Sequence, residues 1–361
     1  MTAVHSAPAS AGTESDPLPD RSSAAVTLLR STAVEKALLG ALDALPEPLR
    51  TGCHRVVDAG GKRLRPDLVL RCADIGPAGS AGAVGAAVAV ELLHSASLVH
   101  DDLLDDSETR RGVRAVHRHE GASTALIAGD AMIALSWRTI ATDGPAAVAD
   151  LADALSEMCR GQALEEQLRF DPGATAEDVL LVAELKTGAL LKAACRIGAR
   201  VGGCSAEQID ALGRFGSDFG VALQLMDDVL DLVADQVALG KPIAADFRAG
   251  TVTMPTVYSL EKTCDETSSR LTSLLRSDLS EDGLREAWEL VVDSGSVGRT
   301  VQLARDLAAR AARAAAGAGA PPELVAMPQR YVRRQIDTKV AAAHRGLLPR
   351  DGNDWENERV G

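Results

Sequence analysis

Apolar positions along this chain recur at intervals of three and four almost throughout, and nowhere alternate in the β-branched manner of a half-buried strand. The first such stretch, Val26 to Leu45, stops before Pro46. A second, Glu47 to Ala59, runs into Gly60-Gly61-Lys62-Arg63-Leu64-Arg65-Pro66. Two glycines stop a helix and a proline suits the first position of the next, so Lys62 and Arg65 are presented from a stiff turn. A long small-residue helix is predicted over Ala83 to Leu104, then a polar crossing, Asp105 to Glu120, and a helix over Ala122 to Ala141 that carries Gly129-Asp130. Ala146 to Phe170 forms another, closed by Asp171-Pro172-Gly173. Thr175-Ala176-Glu177-Asp178 supplies an N-cap and first-turn acids for a helix that includes Lys186-Thr187 and ends at Gly202-Gly203. Ser205-Ala206-Glu207-Gln208 has the form of a capping box for the next. From Gly240-Lys241-Pro242 to Thr253-Met254-Pro255 breakers dominate and a loop is expected. Thr256 to Lys262, Glu281 to Asp293, Val297 to Ala316 and Pro322 to Arg345 complete an all-α chain.

No linker separates two cores, so residues 25–345 are expected to form one large helical domain. A polar, Pro/Ser/Ala-rich tail over 1–24 precedes it and a frayed tail over 346–361 follows. Hydrophobic residues make up 46% of the 361, ample for a core, while aromatics at 2% leave no stacking platform for nucleic acid. A net charge of −13 likewise disfavours nucleic acid and anionic membranes, so any phosphate site must be a local basic pocket for a small substrate. The six cysteines show no C-x-x-C spacing and read as reduced packing residues of a cytoplasmic protein. Ile75 to Val90, the least charged stretch, is too short and too weakly apolar to be a transmembrane segment.

The chemistry is concentrated where the long apolar helix stops in His100-Asp101-Asp102-Leu103-Leu104-Asp105-Asp106. Helical spacing puts Asp101 and Asp105 on one face with Asp102 beside them. Carboxylates at the partially negative end of a helix repel it and one another, so something cationic should compensate. An isolated charge run is usually a solvated loop. Here, however, Asp227-Asp228-Val229-Leu230-Asp231 repeats the Asp-Asp-x-x-Asp spacing at the end of a second apolar helix. Two such ends could face each other across a cleft. All-oxygen ligation suits a hard cation, and magnesium binds through a few carboxylates together with substrate phosphates. With arginines and lysines nearby, the pattern describes a diphosphate held by metal on one side and by cationic side chains on the other.

Taken in order, Gly-Gly-Lys-Arg-Leu-Arg-Pro, both Asp-Asp-x-x-Asp motifs, Arg110-Arg111-Gly112, Lys186-Thr187, Gln224 and Gly240-Lys241-Pro242 resemble the trans-isoprenyl diphosphate synthases (polyprenyl synthetases), over roughly Ala25 to Ala343. The resemblance implies a helical bundle around a central cavity, of the isoprenoid synthase type, in a homodimer. It implies a prenyltransferase that condenses an allylic diphosphate with isopentenyl diphosphate, with several Mg2+ ions per active site. Asp101, Asp105 and Asp227 match the family's metal ligands, supported by Asp102, Asp228 and Asp231. Arg110, Lys186 and Lys241 match residues that hold the allylic diphosphate, with Thr187 and Gln224 lining the same site. Lys62, Arg65, His94 and Arg111 match the metal-free pocket for isopentenyl diphosphate. Ser97 and Ala96, four and five residues before Asp101, and Leu93 one turn deeper, match positions that set product length. The absence of an aromatic plug there implies geranylgeranyl diphosphate or longer. The chain departs from the family pattern at Leu223, Thr251 and Ala244-Ala245. A class I terpene cyclase would share the fold without needing Lys62, Arg65 and His94. A non-catalytic subunit of a heteromeric synthase would be expected to have eroded aspartates, and both motifs are intact.

Overall fold

The computed structural model describes residues 21–234, 245–261, 266–276, 279–340 and 342–349. Most of both expected tails, and Lys241 with the Gly240-Lys241-Pro242 stretch, lie outside the described residues. The first ten helices are α1 (Arg21–Leu42), α2 (Leu49–Asp58), α3 (Leu64–Ala73), α4 (Val84–Leu104), α5 (Val116–Glu120), α6 (Ala122–Ile140), α7 (Pro145–Leu168), α8 (Ala176–Ala183), α9 (Ala189–Val201) and α10 (Ala206–Val233). Seven further α-helices follow, the longest being Ser296–Gly317, and the only ladder among the described residues is a hairpin of Thr109–Arg110 with Val113–Arg114. None of the described helices is long and apolar enough to cross a membrane.

Local sequence accounts for the helix starts. At α10, Ser205 Oγ accepts from Gln208 N (3.3 Å) and Gln208 Oε1 accepts from Ser205 N (3.0 Å), the reciprocal box expected from Ser-Ala-Glu-Gln. Thr175 and Asp178 do the same for α8. Each box satisfies two backbone N–H groups that a helix start leaves unpaired, and losing a cap typically costs about 1 kcal/mol. Pro66 is the third residue of α3, where its missing N–H is still outside the intrahelical ladder.

Helices α4, α9 and α10 form the centre. α4 packs on α6 and α3, α9 on α3, α7 and α10, and α10 on the Ser296–Gly317 helix. Phe215 and Phe219, both fully buried, fill the junction of α9 and α10, with Tyr331 edge-on to Phe219 at 5.7 Å between ring centroids. At several helix crossings a glycine lets backbones approach closely. A Cβ on Gly198 of α9 would lie 2.2 Å from the Val69 carbonyl oxygen of α3.

Five features of the described residues differ from the sequence expectation. The helix expected through Lys186-Thr187 changes hydrogen-bond register at Glu184–Gly188, a π turn between α8 and α9. The crossing after α4 contains the hairpin, whose two central residues Arg111 and Gly112 have φ of 52° and 80°, the left-handed pair that closes a two-residue turn. The expected loop before Met254 includes a short helix, Ala245–Ala249, and Glu266–Leu274 is helical without having been anticipated. The C-terminal helix is divided into Pro322–Val325, Met327–Lys339 and a 3-10 segment Ala342–Leu347; the first break falls where Pro328 has no N–H to continue a preceding ladder.

The tight α3–α9 crossing yields a test. Gly198→Ala must push backbone apart and should lower the thermal midpoint by about 5 °C or more. Gly40→Ala in α1, where a Cβ meets nothing within 4 Å, should raise stability by about 0.5–1 kcal/mol. Thermal unfolding of both variants decides, and equal midpoints would show that the crossing is not tight.

Candidate active site

A cavity of about 1070 Å³ opens between α4, α7, α10, the hairpin and the turn before α3. One polar wall is basic. The turn is clamped by Arg63, whose left-handed backbone (φ 47°) starts α3. Its guanidinium donates to Glu35 of α1 (2.5 Å), Glu91 of α4 (2.8 Å) and the Val57 carbonyl of α2 (2.9 Å). Glu91 is 3% exposed in an otherwise apolar helix, so this pair is what permits its burial. Arg63 was no part of the sequence-derived site; a lone glutamate in the apolar run was the signal for it.

Held this way, Lys62 and Arg65 both face the cavity, with His94 and Arg111 beside them. Arg65 Nη1 lies 3.1 Å from His94 Nε2. A guanidinium can only donate, so Nε2 accepts and the imidazole proton sits on Nδ1. Burial, and then Arg65, Arg111, Arg110 and Arg63, hold the His94 pKa well below its ordinary value, so the ring is neutral at pH 7. Arg65 Nε is buried without a partner. Arg111 donates to the Gly60 carbonyl and lies across Gly61, where a Cβ would sit 2.7 Å from Nη1. Lys62 lies over the Tyr331 ring, 5.1 Å from its centroid, and Lys339 adds another cation to the lining. Tyr331 and Lys339 were also missed from sequence, having no motif around them. Among the described residues Lys62, Arg65 and Arg111 form no ion pair, so this wall has positive charge available for an anion.

The other polar wall is acidic. Asp101 at the end of α4 and Asp227 on α10 line the same cavity, as the duplicated spacing anticipates. Lys186 and Thr187 reach it from the π turn, a local widening often found at functional sites. Lys186 donates to Glu165 of α7. Thr187 Oγ1 donates to Gln224 Oε1 (2.8 Å), and Gln224 Nε2 donates to Asp228 Oδ1 (3.0 Å). The remaining carboxylates sit behind or outside the cavity. Asp102 is 1% exposed and is paired with Arg110, which anchors the hairpin. Asp105 is exposed beyond the lining, and Asp231 accepts the Asp246 N–H at 3.2 Å. Leu93 and Ser97 line the apolar end with Ile133, Leu155 and Met158. Ala96 does not: it is turned 100° from Ser97 and is fully buried in the core shared with α6 and α7.

Burial raises the Asp101 carboxyl to about 6, with Lys186 and Arg110 opposing the shift and Asp105 and Glu165 adding to it. Asp228 is raised to about 7, again chiefly by burial, against the Gln224 hydrogen bond. Among the described residues no three acidic, histidine or cysteine side chains converge as a ready-made cation cage. Instead two helix ends offer oxygens across a cavity and Asp102 Oδ2 is buried without a partner. That donor set suits a hard divalent cation whose remaining ligands are phosphate oxygens and water.

An all-helical fold around one cavity, acidic on one side and basic on the other, is the isoprenoid synthase class. The fold superposes on the polyprenyl synthase of Caulobacter crescentus, solved with calcium and isoprenyl diphosphate, with a TM-score of 0.78 over 91% of this chain and 97% of that one at 27% identity. Residues 46–291 match the polyprenyl synthetase family model. The chain is 36% identical over 253 residues to a short chain isoprenyl diphosphate synthase of Methanothermobacter thermautotrophicus, covering 69% of this chain and 78% of that protein. It is 34% identical over 280 residues to the nonaprenyl diphosphate synthase of Mycobacterium tuberculosis, covering 77% and 83%. The chain belongs to the polyprenyl synthetase family, the trans-isoprenyl diphosphate synthases, and is a prenyltransferase.

The raised Asp228 gives a pH test. Its folded-state pKa of about 7 lies above the ordinary 3.8, so the folded chain binds the extra proton between those values and its stability falls as pH rises across that interval. With divalent ions chelated, Asp228→Asn should therefore exceed wild type at pH 8 by roughly 1–3 kcal/mol. The gap should close as pH falls towards 5. Thermal unfolding measures it; a gap that is absent, or that widens in acid, would contradict a carboxylate strained by burial.

Proposed function

We propose that the protein joins an allylic diphosphate to isopentenyl diphosphate head to tail (1′-4), with Mg2+, to give geranylgeranyl diphosphate or a longer product. The observation that carries this is the pair of unlike walls on one cavity: Asp101 and Asp227 opposite Lys62, Arg65, His94 and Arg111. Two diphosphates need two different holders, one completed by metal and one by cationic side chains. The four-residue basic wall favours a synthase over a terpene cyclase, which has no second diphosphate to hold. The catalytic unit in this reading is a single domain over residues 25–345, acting as a cytoplasmic homodimer; the described cysteines are all free, in keeping with a reducing compartment.

Asp101, Asp105 and Asp227 would hold the divalent ions, with Asp102, Asp228 and Asp231 behind them. Bound there, such ions neutralise charge on a departing pyrophosphate. Lys186 and Arg110 face the same diphosphate, with Lys241 the expected third cation. Exchanging Glu165 for a phosphate oxygen frees Lys186 for it. As the allylic C1–O bond breaks, its electron pair stays on pyrophosphate and a carbocation remains. One charge pair at about 4 Å and an effective dielectric near 20 contributes roughly 4 kcal/mol, so a few such contacts shift a rate by many decades. Preorganisation makes them effective: Asp102 fixes Arg110, and the Thr187–Gln224–Asp228 chain fixes the π turn. Meanwhile Lys62, Arg65 and Arg111 hold isopentenyl diphosphate by its diphosphate, so that its double bond attacks the allylic C1. A proton then leaves the new cation, and the released pyrophosphate, lying within the same cavity, is its acceptor. The apolar end excludes water from the carbocation.

For product length, Tyr331 is the one aromatic lining residue among those described, and it lies at the basic end by Lys62. Nothing bulky crosses the Leu93–Ser97 face, which supports a chain of geranylgeranyl length or more.

Incubating the purified protein with isopentenyl diphosphate and dimethylallyl, geranyl, farnesyl or geranylgeranyl diphosphate, then sizing the products, tests the reaction; no elongation of any primer would refute it. Asp101→Ala and Asp227→Ala should each lower kcat by about a thousandfold or more with helicity unchanged in circular dichroism. Near-normal turnover in either would remove the cation assignment. Ser97→Phe, on the cavity face, should shorten the product, while Ala96→Phe should chiefly destabilise the α4–α6 core. The reverse outcome in product sizing would place the limit elsewhere.

A further inference from the structure

Helix α4 carries two stripes. Leu93, Ser97 and Asp101 face the cavity, and Ala96 belongs to the core shared with α6. His100 follows Ala96 by one turn; it borders the cavity with part of its side chain while its ring nitrogen is directed at α6. Its Nε2 lies 3.2 Å from the Leu126 carbonyl oxygen and 3.9 Å from an Asp130 carboxylate oxygen. A carbonyl can only accept, so Nε2–H donates, using the second lone pair of an oxygen already within the α6 ladder. The imidazole occupies the space that a side chain at residue 129 would take: a Cβ on Gly129 would lie 2.1 Å from Nε2 and 2.5 Å from Cδ2. Gly129-Asp130 thus forms a seat for His100. At the far end of the same crossing Ser136 Oγ of α6 donates to the Ala89 carbonyl of α4 at 2.7 Å, both ends being buried. Ala89 and His100 are eleven residues apart, about three turns, so they share one face of α4 and the two bonds lie about 16 Å apart along it. The bonds run in opposite directions, one donated by each helix, and together they oppose rotation of α4 about its axis.

We propose that His100 is a positioning residue: seated on Gly129 and bonded to Leu126, it sets the rotation of α4 at which Asp101 faces the cavity. The proposal rests on Asp101 serving the divalent cation. Asp101 follows His100 directly, so a rotation small enough to leave the core intact still swings its carboxylate along the acidic wall. Lys62, Arg65 and Arg111 of the basic wall stand on the turn before α3 and on the hairpin; the turn meets α4 at Glu91 and His94, nine and six residues before His100, so the motion reaches that wall less than it reaches Asp101.

The test uses the full-length protein, with Mg2+ titrated in the presence of inorganic pyrophosphate and the thermal midpoint as the readout, alongside steady-state kinetics. His100→Phe keeps the ring but not the donor. Gly129→Ala expels the ring at little cost to the fold, since only a side chain has to move. Both should raise the Mg2+ concentration for a half-maximal midpoint shift about tenfold and lower kcat, with KM for isopentenyl diphosphate changed less than twofold. His100→Gln, which keeps a donor at similar reach, should recover most of the loss. Wild-type Mg2+ response in His100→Phe and Gly129→Ala, with Asp101→Ala silent, would overturn the positioning role alone. A wild-type response in Asp101→Ala would overturn the cation site itself and this proposal with it. His100→Gln behaving no better than His100→Phe would remove the donated bond as the cause.

Discussion

Arg65 donates to a neutral histidine, Arg111 to a backbone carbonyl, and Lys62 lies over a phenol ring, while across the cavity Asp101 is raised to about 6 by burial. Charge of one sign predominates on each wall, positive around Lys62, Arg65 and Arg111 and negative around Asp101 and Asp227. Bringing like charges together away from water is unfavourable unless a ligand supplies the missing sign. Here the walls relieve one another only in part: Asp227 favours the charged forms of Lys62 and Arg65, and Lys186 and Arg110 favour ionised Asp101, yet burial outweighs them and shifts each group towards its neutral form. In the proposed reaction a diphosphate with a divalent ion would answer one wall and a bare diphosphate the other. The fold sustains this imbalance because the groups that hold the walls in place are paired among themselves: Arg63 with Glu35 and Glu91, Arg110 with Asp102, Lys186 with Glu165.

That division between supporting and receiving charges explains what could be read from the sequence. The helices were legible because apolar spacing and capping boxes are local, and the boxes at Thr175 and Ser205 formed as written. The duplicated Asp-Asp-x-x-Asp spacing and the Lys62–Arg65 turn were legible as motifs that meet, and Asp101, Asp227, Lys62 and Arg65 do line one cavity. Arg63 was not, because whether an arginine faces a ligand or a buried glutamate depends on the crossing of α1, α2 and α4. Nor was the π turn at Glu184–Gly188, which packs closely on α10: a Cβ on Gly220 would lie 2.6 Å from the Gly188 Cα. Ala96 shows the limit of helical arithmetic. Counting four or five residues back from Asp101 finds the right turn of α4, but one residue of rotation separates the cavity from the core, and only the packing of α6 decides between them.

Small side chains make that decision harder to enforce. The α4 side of the α4–α6 contact is built largely from alanine and valine, which give close approach but shallow ridges and grooves. Dispersion between such surfaces changes little as one helix turns against the other. Directional bonds can supply what packing does not. Arg63 to Glu91 ties α4 to the basic turn, Ser136 to the Ala89 carbonyl ties its middle to α6, and His100 to the Leu126 carbonyl ties its acidic end. Because α4 presents both the Leu93–Ser97 face and Asp101, its rotation sets at once how much room a growing chain meets and where the carboxylate stands. A synthase that must lengthen a hydrocarbon within reach of a fixed cation therefore has reason to place polar bonds inside an apolar crossing. Loosening them would disturb chain length and cation binding together, whereas a change in the floor side chains alone would alter only the length.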